Sequence, residues 1–280
     1  MLNAKSPDEI GKKTAAQLES DNDKPLPYGY VHDRDVLMGK MIWENIDLDE
    51  RVNFPLYYPV DTAFVGKERR SLFAVLLKGI KDGKITEVYG DDYFNIKKSL
   101  KDMESVFKFI DTTDAGKDEI NNYYDDYKSG KKVLDKQFIN ETELDASDIS
   151  GYKVKGFWYF DKRQSELKYR LMAICPLAVE ARDKARGNND PIELFWVYFP
   201  AVRNILHEAK AFNDRNSAMP ITFDQLLNSR RFNGVIYKEE NVYGDRTIQD
   251  YMKDNAQSQL LESERVKEKI RNFEQDMWNY

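Results

Sequence analysis

The sequence predicts an α+β fold: a small mixed or antiparallel sheet flanked by helices, with a long helix at the C-terminus. Three observations carry this. Tyr152, Val154, Phe157 and Tyr159, followed after the polar stretch 161–166 by the run 167–174, form two β-prone segments that suit a hairpin. Residues 71–80 place Leu72, Val75, Leu76 and Gly79 at spacings of three and four, the period of a helix with one apolar face. Residues 254–280 contain no Gly or Pro, and Ala256, Leu260, Val266, Ile270, Phe273 and Met277 make one apolar stripe on an otherwise charged helix.

The elements follow in order. Residues 1–27 carry few large apolar side chains and read as a flexible tail, with at most a frayed helix over 9–19. In the segment 28–110, Val36, Leu37, Met41, Ile42 and Trp43 recur at helical spacing over 35–43, before an extended piece at 46–48. The prolines of 53–59, NFPLYYP, forbid one continuous helix through it and favour extended backbone. Gly83 is placed to stop the helix of 71–80, residues 84–89 alternate as a strand, and a second amphipathic helix covers 96–110. Residues 111–150 are dominated by Asp, Asn, Lys and Ser, which reads as a polar excursion or linker.

The β-rich segment 151–245 supplies most of the sheet, from residues 152–238. After the hairpin come a run at 192–199, a helix over 201–211 and another over 222–228, with Thr222 and Gln225 spaced as a capping box. A strand at 234–238 precedes 246–280, which begins with a short helix at 247–252 and continues into the long one. That last helix either packs back on its own domain or docks into a partner. The order of LYYP (56–59) and VYGD (88–91) is echoed by VYFP (197–200) and VYGD (242–245), which raises an internal duplication.

Composition narrows the function. Charged residues make up 33% of the chain and aromatics 13%, so the chain has the apolar content to build a core and is not disordered throughout. The net charge of −6 gives no electrostatic reason to bind nucleic acid. The apolar runs are too short to span a bilayer, so no direct transmembrane segment is expected. The single Cys175 lies in an apolar run and reads as a small buried hydrophobe ahead of a reactive thiol.

The chemistry-bearing motifs fail on spacing. His207-Glu208 begins like a zinc-protease helix, but the second ligand position holds Ala211. Residues 79–85 lack the spacing and the hydroxyl of a phosphate loop, and 111–122 lacks the carboxylates of a calcium loop. Adjacent acids such as Asp91-Asp92 and Glu239-Glu240 could serve a carboxylate-dependent hydrolase, but in so acidic a chain they read first as surface charge. No catalytic residue, metal or cofactor is assigned. The proline-bounded aromatics are more informative: Phe54, Tyr57, Tyr58, Phe195, Trp196, Tyr198 and Phe199 suit either core packing or a protein interface.

Residues 35–59 (DVLMGKMIWENIDLDERVNFPLYYP) and 72–94 (LFAVLLKGIKDGKITEVYGDDYF) resemble the N-terminal half of the GldN/PorN family. Further blocks resemble its C-terminal half: AICP (173–176), LFWVYFP (194–200), AFNDRN (211–216) and FNGVIYKEENVYGDRTIQDYM (232–252). The resemblance covers about 30–252. It implies a non-enzymatic structural subunit of the type IX secretion system, supporting protein secretion and gliding motility. Such a subunit is periplasmic and held at the outer membrane through a GldK/PorK-like lipoprotein, with which it assembles as neighbouring copies in a ring, and it contacts a GldM/PorM-like motor component. The first residues lack the pattern of a signal peptide, so the chain reads as a mature form with an added Met1. Phe54, Tyr57, Tyr58, Trp196, Tyr198, Phe199, Ile270 and Phe273 are the expected partner interface. The competing readings are the hydrolase and a soluble peptide-binding adaptor.

Overall fold

The computed structural model describes residues 14, 16, 24–63, 65–66, 69–124, 128, 132, 134–212, 221–253 and 255–278; the tail and frayed helix expected before 24 lie for the most part outside them. In chain order the first elements are β1 (Val36–Asp47), α1 (Phe54–Tyr57), α2 (Leu72–Lys81) and α3 (Leu100–Phe107). Then come β2 (Lys108–Thr112), α4 (Asp114–Asn122), β3 (Ile139–Glu143), β4 (Ile149–Asp161), β5 (Glu166–Ala178) and α5 (Ala181–Ala185). Next are β6 (Ile192–Glu193), β7 (Val197–Tyr198), α6 (Phe199–Glu208), β8 (Lys210–Ala211), β9 (Ile221–Thr222) and α7 (Phe223–Asn228). The chain closes with β10 (Val235–Glu239), α8 (Ile248–Tyr251) and α9 (Ala256–Trp278). The α+β class, the β4–β5 hairpin and the long last helix are as expected.

The sheet is antiparallel with strand order β10-β1-β4-β5-β6, and β7 also pairs with β5. The helix expected over 35–43 is therefore a strand, and it lies between β10 and β4. Ile42 and Trp43 are both 1% exposed although they point to opposite faces, because the sheet is covered on both sides there. A strand buried on both faces loses its polar alternation, which is why its spacing mimicked a helix. The sheet thus takes in β1 besides the span 152–238 expected to supply most of it, and the polar stretch 111–150 carries structure of its own. That stretch also contributes paired strands β2 and β3 and the buried Leu144 and Ile149.

Other expectations need correction at element ends. The helix of 96–110 is confined to α3, which Ser99 opens with a full capping box to Asp102 before β2 takes over. Within 84–89 only Tyr89 pairs, exchanging backbone hydrogen bonds of 2.9 and 2.7 Å with Trp196. Pro55 and Pro200 do not hold extended backbone; each sits in the first turn of a helix, where its missing N–H costs nothing. Pro59 follows a helix whereas Pro200 opens one, so the LYYP and VYFP echo is not a structural repeat. Thr222 caps α7 by accepting from the Gln225 N–H at 3.2 Å. Gly83, just past α2, has φ +69°, the left-handed turn expected of it.

Residues directly opposite on neighbouring strands share a face. Ile46 faces Tyr152 and Glu44 faces Val154, so Ile42, Glu44 and Ile46 line one side of β1. The lower part of that face, with Ile46, Tyr152, Val154, Leu171 and Ile174, forms the main core with α2, α6 and α7. The upper part, with Ile42, Ile236, Trp158 and Leu167, is covered by Val266 and Ile270 of α9. The opposite face packs Trp43, Ala173 and Cys175 under Trp196, Tyr89 and Phe94.

Glu44 lies between the two clusters on the shared face and is 1% exposed. Arg230 meets it with two hydrogen bonds of 2.8 Å, and its guanidinium lies over the rings of Tyr169 (4.3 Å), Trp158 (5.0 Å) and Phe232 (5.2 Å). The backbone bends to allow this. Arg231 N–H reaches Leu226 O and Arg230 N–H reaches Leu227 O, closing α7 in a Schellman turn whose left-handed position, φ +50°, holds Arg230 where glycine is usual. Tyr169 in turn crosses β4 at Gly156, where a Cβ would sit 2.2 Å from its ring. Asn53, fully buried, donates to Asp47 O and Asn233 O and accepts from Asn233 N–H, tying the segment after β1 to the one before β10.

Three outcomes follow. Glu44→Ala strands a buried guanidinium and is expected to cost about 3–5 kcal/mol in urea unfolding. Arg230→Gly, despite relieving the left-handed strain, is expected to be destabilising as well, because the stranded carboxylate outweighs roughly 1–2 kcal/mol of backbone relief. Gly156→Ala is expected to lower stability by about 1–3 kcal/mol, and the loss to shrink when combined with Tyr169→Ala, which removes the clashing ring.

Candidate interaction surface

The eight expected interface residues divide by burial. Trp196 and Phe199 are fully buried and Ile270 is 4% exposed, so these three are core residues of this chain and not surface contacts. Trp196 is held there by donating Nε1–H to Glu193 at 2.8 Å, and Glu193 also accepts from Lys153 at 2.7 Å. Phe195, also fully buried, packs edge-on against Phe107. Phe273 is half-buried against Phe160, 5.9 Å between ring centres. The last helix therefore packs back on its own chain.

Phe54, Tyr57 and Tyr58 are different. The α1 turn sends Leu56 into the core, completely buried, and leaves Phe54 and Tyr58 36% and 47% exposed. Tyr58 meets Phe54 and Tyr57 edge-on at 5.3 and 4.8 Å, so the three rings form one cluster. Tyr57 is half-buried, and burial pushes its hydroxyl above the ordinary value. These rings are rigid and amphipathic, the type of side chain that gives contact area at little entropic cost.

Tyr198, expected at an interface, belongs to a second surface whose other members, Tyr93, Phe94 and Ile96, the sequence reading missed. Its ring packs edge-on against Phe94 at 5.6 Å, and Phe94 against Tyr89 at 5.0 Å; Tyr93 and Ile96 on the same loop are exposed. Asp91 shapes the loop by accepting from the backbone of Asn95 and Ile96. Beneath it, Lys155 Nζ lies 4.4 Å from the Tyr93 ring centre and 4.9 Å from that of Trp43, and donates to Asp92 O. Burial lowers the pKa of Lys155. Lys238 shares the same two rings; burial opposes its charge, but hydrogen bonds to Asp92 and Tyr93 outweigh this and raise it. Beyond Tyr198 itself, the sequence signal for this surface was the aromatic content of VYGDDYF, spread over a segment read as a strand end.

The acids that could serve hydrolysis are engaged elsewhere. Asp92 pairs with Lys238, Glu239 with Lys40, and Glu240 accepts from Met41 N–H. Two shallow grooves flank α9. The one of about 430 Å³ has no carboxylate in its lining, and the one of about 230 Å³ has Glu44, held by Arg230, and Glu264, paired with Lys267. Among the described residues no group of three or more His, Cys, Asp or Glu is placed to hold a metal, and no helix is long and apolar enough to cross a membrane. Burial raises the pKa of the Cys175 thiol, which suppresses the reactive thiolate.

The second surface has a pH signature. Tyr93 Oη donates to Asp245 at 2.6 Å, and this bond, with that from Asn241 N–H, holds Asp245 below its ordinary 3.8. The folded state therefore gains stability from Asp245 above pH 3.8 and loses it as pH falls through the lowered value. Tyr93→Phe is expected to flatten the acid limb of a urea-midpoint titration, with the change confined to the region around and below pH 3.8.

The family model for gliding motility associated protein GldN matches residues 31–279, nearly the whole chain. No curated protein sequence matches it. The matched span takes in the sheet, both aromatic surfaces and the last helix, so the chain belongs to the GldN family of gliding-motility-associated proteins.

Proposed function

We propose that this chain is a non-catalytic structural subunit of the type IX secretion system, supporting protein secretion and gliding motility. It works in the periplasm at the outer membrane, held there by a GldK/PorK-like lipoprotein. With that lipoprotein it assembles as repeated copies in a ring, and it contacts a GldM/PorM-like motor component. Membership of a family named for gliding motility supports the cellular role. The observation that carries the molecular role is the outward ring cluster of Phe54, Tyr57 and Tyr58, anchored by a buried Leu56. A head-to-tail assembly needs two different surfaces on each copy, and the Tyr198–Phe94 surface supplies a second one. The hydrolase reading loses support because the adjacent acids are spent on ion pairs and backbone hydrogen bonds.

The test is co-expression with the lipoprotein, followed by sizing and electron microscopy, for wild type and for Tyr58→Asp and Tyr198→Asp. Wild type is expected to form large closed assemblies, and at least one variant, with an unchanged circular dichroism spectrum, to bind about 30-fold more weakly, as loss of a central aromatic anchor does. Folded variants that all bind like wild type would remove both surfaces from the interface. A one-to-one complex without repetition would favour the adaptor, and no association at all would overturn the assembly role.

A further inference from the structure

β10 is an edge strand: among the described residues its one ladder partner is β1, over residues 42–45. Such an edge presents unpaired backbone groups able to pair with another chain. Here α8 and α9 cover it. Ser263 Oγ accepts from Ile236 N–H at 2.8 Å, in a buried bond, and Thr247 bridges to Lys238. Farther along, Glu274 of α9 accepts from Leu167 N–H on β5 at 3.4 Å.

The cover is thinly seated. Of the 23 residues of α9 only Glu262, Ser263, Val266 and Ile270 are buried, so just two are apolar. Leu260, Leu261 and Trp278 stay 48%, 65% and 70% exposed. The two grooves lie on either flank of the helix. One runs between β10, α8 and Leu260, the other between Ile42, Trp158, Arg230 and the turn carrying Lys267 and Arg271. The helix thus rests on Val266, Ile270 and the half-buried Phe273 ring against Phe160, with a groove along either flank. By contrast the β4–β5 hairpin and its helices carry the main core. Elements with few buried apolar side chains are the ones that open below global unfolding.

We infer that α9 is a releasable cover, which lifts from the sheet as a unit while the rest of the fold persists, and in lifting uncovers the outer edge of β10 and the strip Ile42–Trp158–Leu167–Ile236. The Ser263–Ile236 hydrogen bond couples the two events: the edge amide loses its acceptor when the helix leaves. The device is autoinhibitory in kind, since what it hides is a pairing-competent strand edge. It rests on α9, β10 and their contacts, and stands apart from the assembly role proposed above.

Hydrogen exchange followed by mass spectrometry on the full-length chain tests it. Residues 256–278 and 236–238 are expected to exchange together, about 100-fold faster than the centre of β4 and β5. Val266→Asp is expected to accelerate both segments by about tenfold or more and to leave β4–β5 protection unchanged. Ser263→Ala, a milder change that keeps the helix, is expected to accelerate 236–238 and α9 together. Exchange of α9 at the β4–β5 rate would make it an integral part of the core and overturn the inference. So would exchange of α9 while 236–238 stay protected, which is fraying without uncovering. A Val266→Asp variant that lowers β4–β5 protection by the same factor would overturn it too.

Discussion

Glu44 carries a charge into the interior of the sheet, and Arg230 is the group that makes that burial tolerable. The pair sits where three parts of the molecule meet: β1 from the first half of the chain, the end of α7 from the second, and the seam between the main core and the cluster under α9. Its demands spread outward. Arg230 adopts a left-handed backbone where glycine would be easier, because only an arginine there can present two parallel N–H groups to the carboxylate. Tyr169 and Trp158 flank the guanidinium, and Gly156 stays bare so that Tyr169 can cross the strand. Ion pairs of this kind add little net stability against an apolar pair, but they tolerate few alternative arrangements. We take its role to be register: it admits one seating of β1 against the segment that follows α7.

That constraint explains why two sequence halves make one sheet. β1 must lie between β4 and β10 for Glu44 to meet Arg230, and Asn53 repeats the tie by joining residues 47 and 233. The bidentate Arg203–Asp224 pair, at 2.7 and 3.0 Å, locks α6 to α7 in the same layer. Glu44, Asn53 and Lys155, three of the buried polar residues, thus sit where segments distant in sequence are brought together. Exposed pairs such as Lys97–Glu87, Lys117–Asp114 and Arg271–Glu268 are, by contrast, of the kind that contributes little.

The aromatic residues divide along the same lines. Trp43, Trp196, Phe195 and Phe199 fill the core, whereas Phe54, Tyr58, Tyr93 and Tyr198 are held at the surface by buried neighbours such as Leu56 and Trp43. A surface ring on a firm base is already ordered, so a partner does not have to supply that ordering on binding. Both outward clusters therefore present contact area that is already ordered.

Local patterns were enough to recover the β4–β5 hairpin, α2 with its Gly83 stop, the Thr222 cap and α9, because each depends on side chains close in sequence. The aromatic motifs also marked the two outward surfaces in part, through Phe54, Tyr57, Tyr58 and Tyr198. What the sequence could not decide was which neighbour lies on each face. β1 read as a helix since both its faces are covered, and the cover comes from Tyr89, Phe94 and Trp196 on one side and Val266 and Ile270 on the other, all far from it along the chain. Trp196 and Tyr198, two residues apart, met opposite fates because Tyr89 pairs over one while the other faces the edge of the Phe94 ring. Sequence by itself determined the class of fold, its strongest elements and the chemistry available to it. Only the tertiary structure decided which charges are buried, which aromatics face outward and which edge needs a cover, since each of these depends on long-range packing that no local period records.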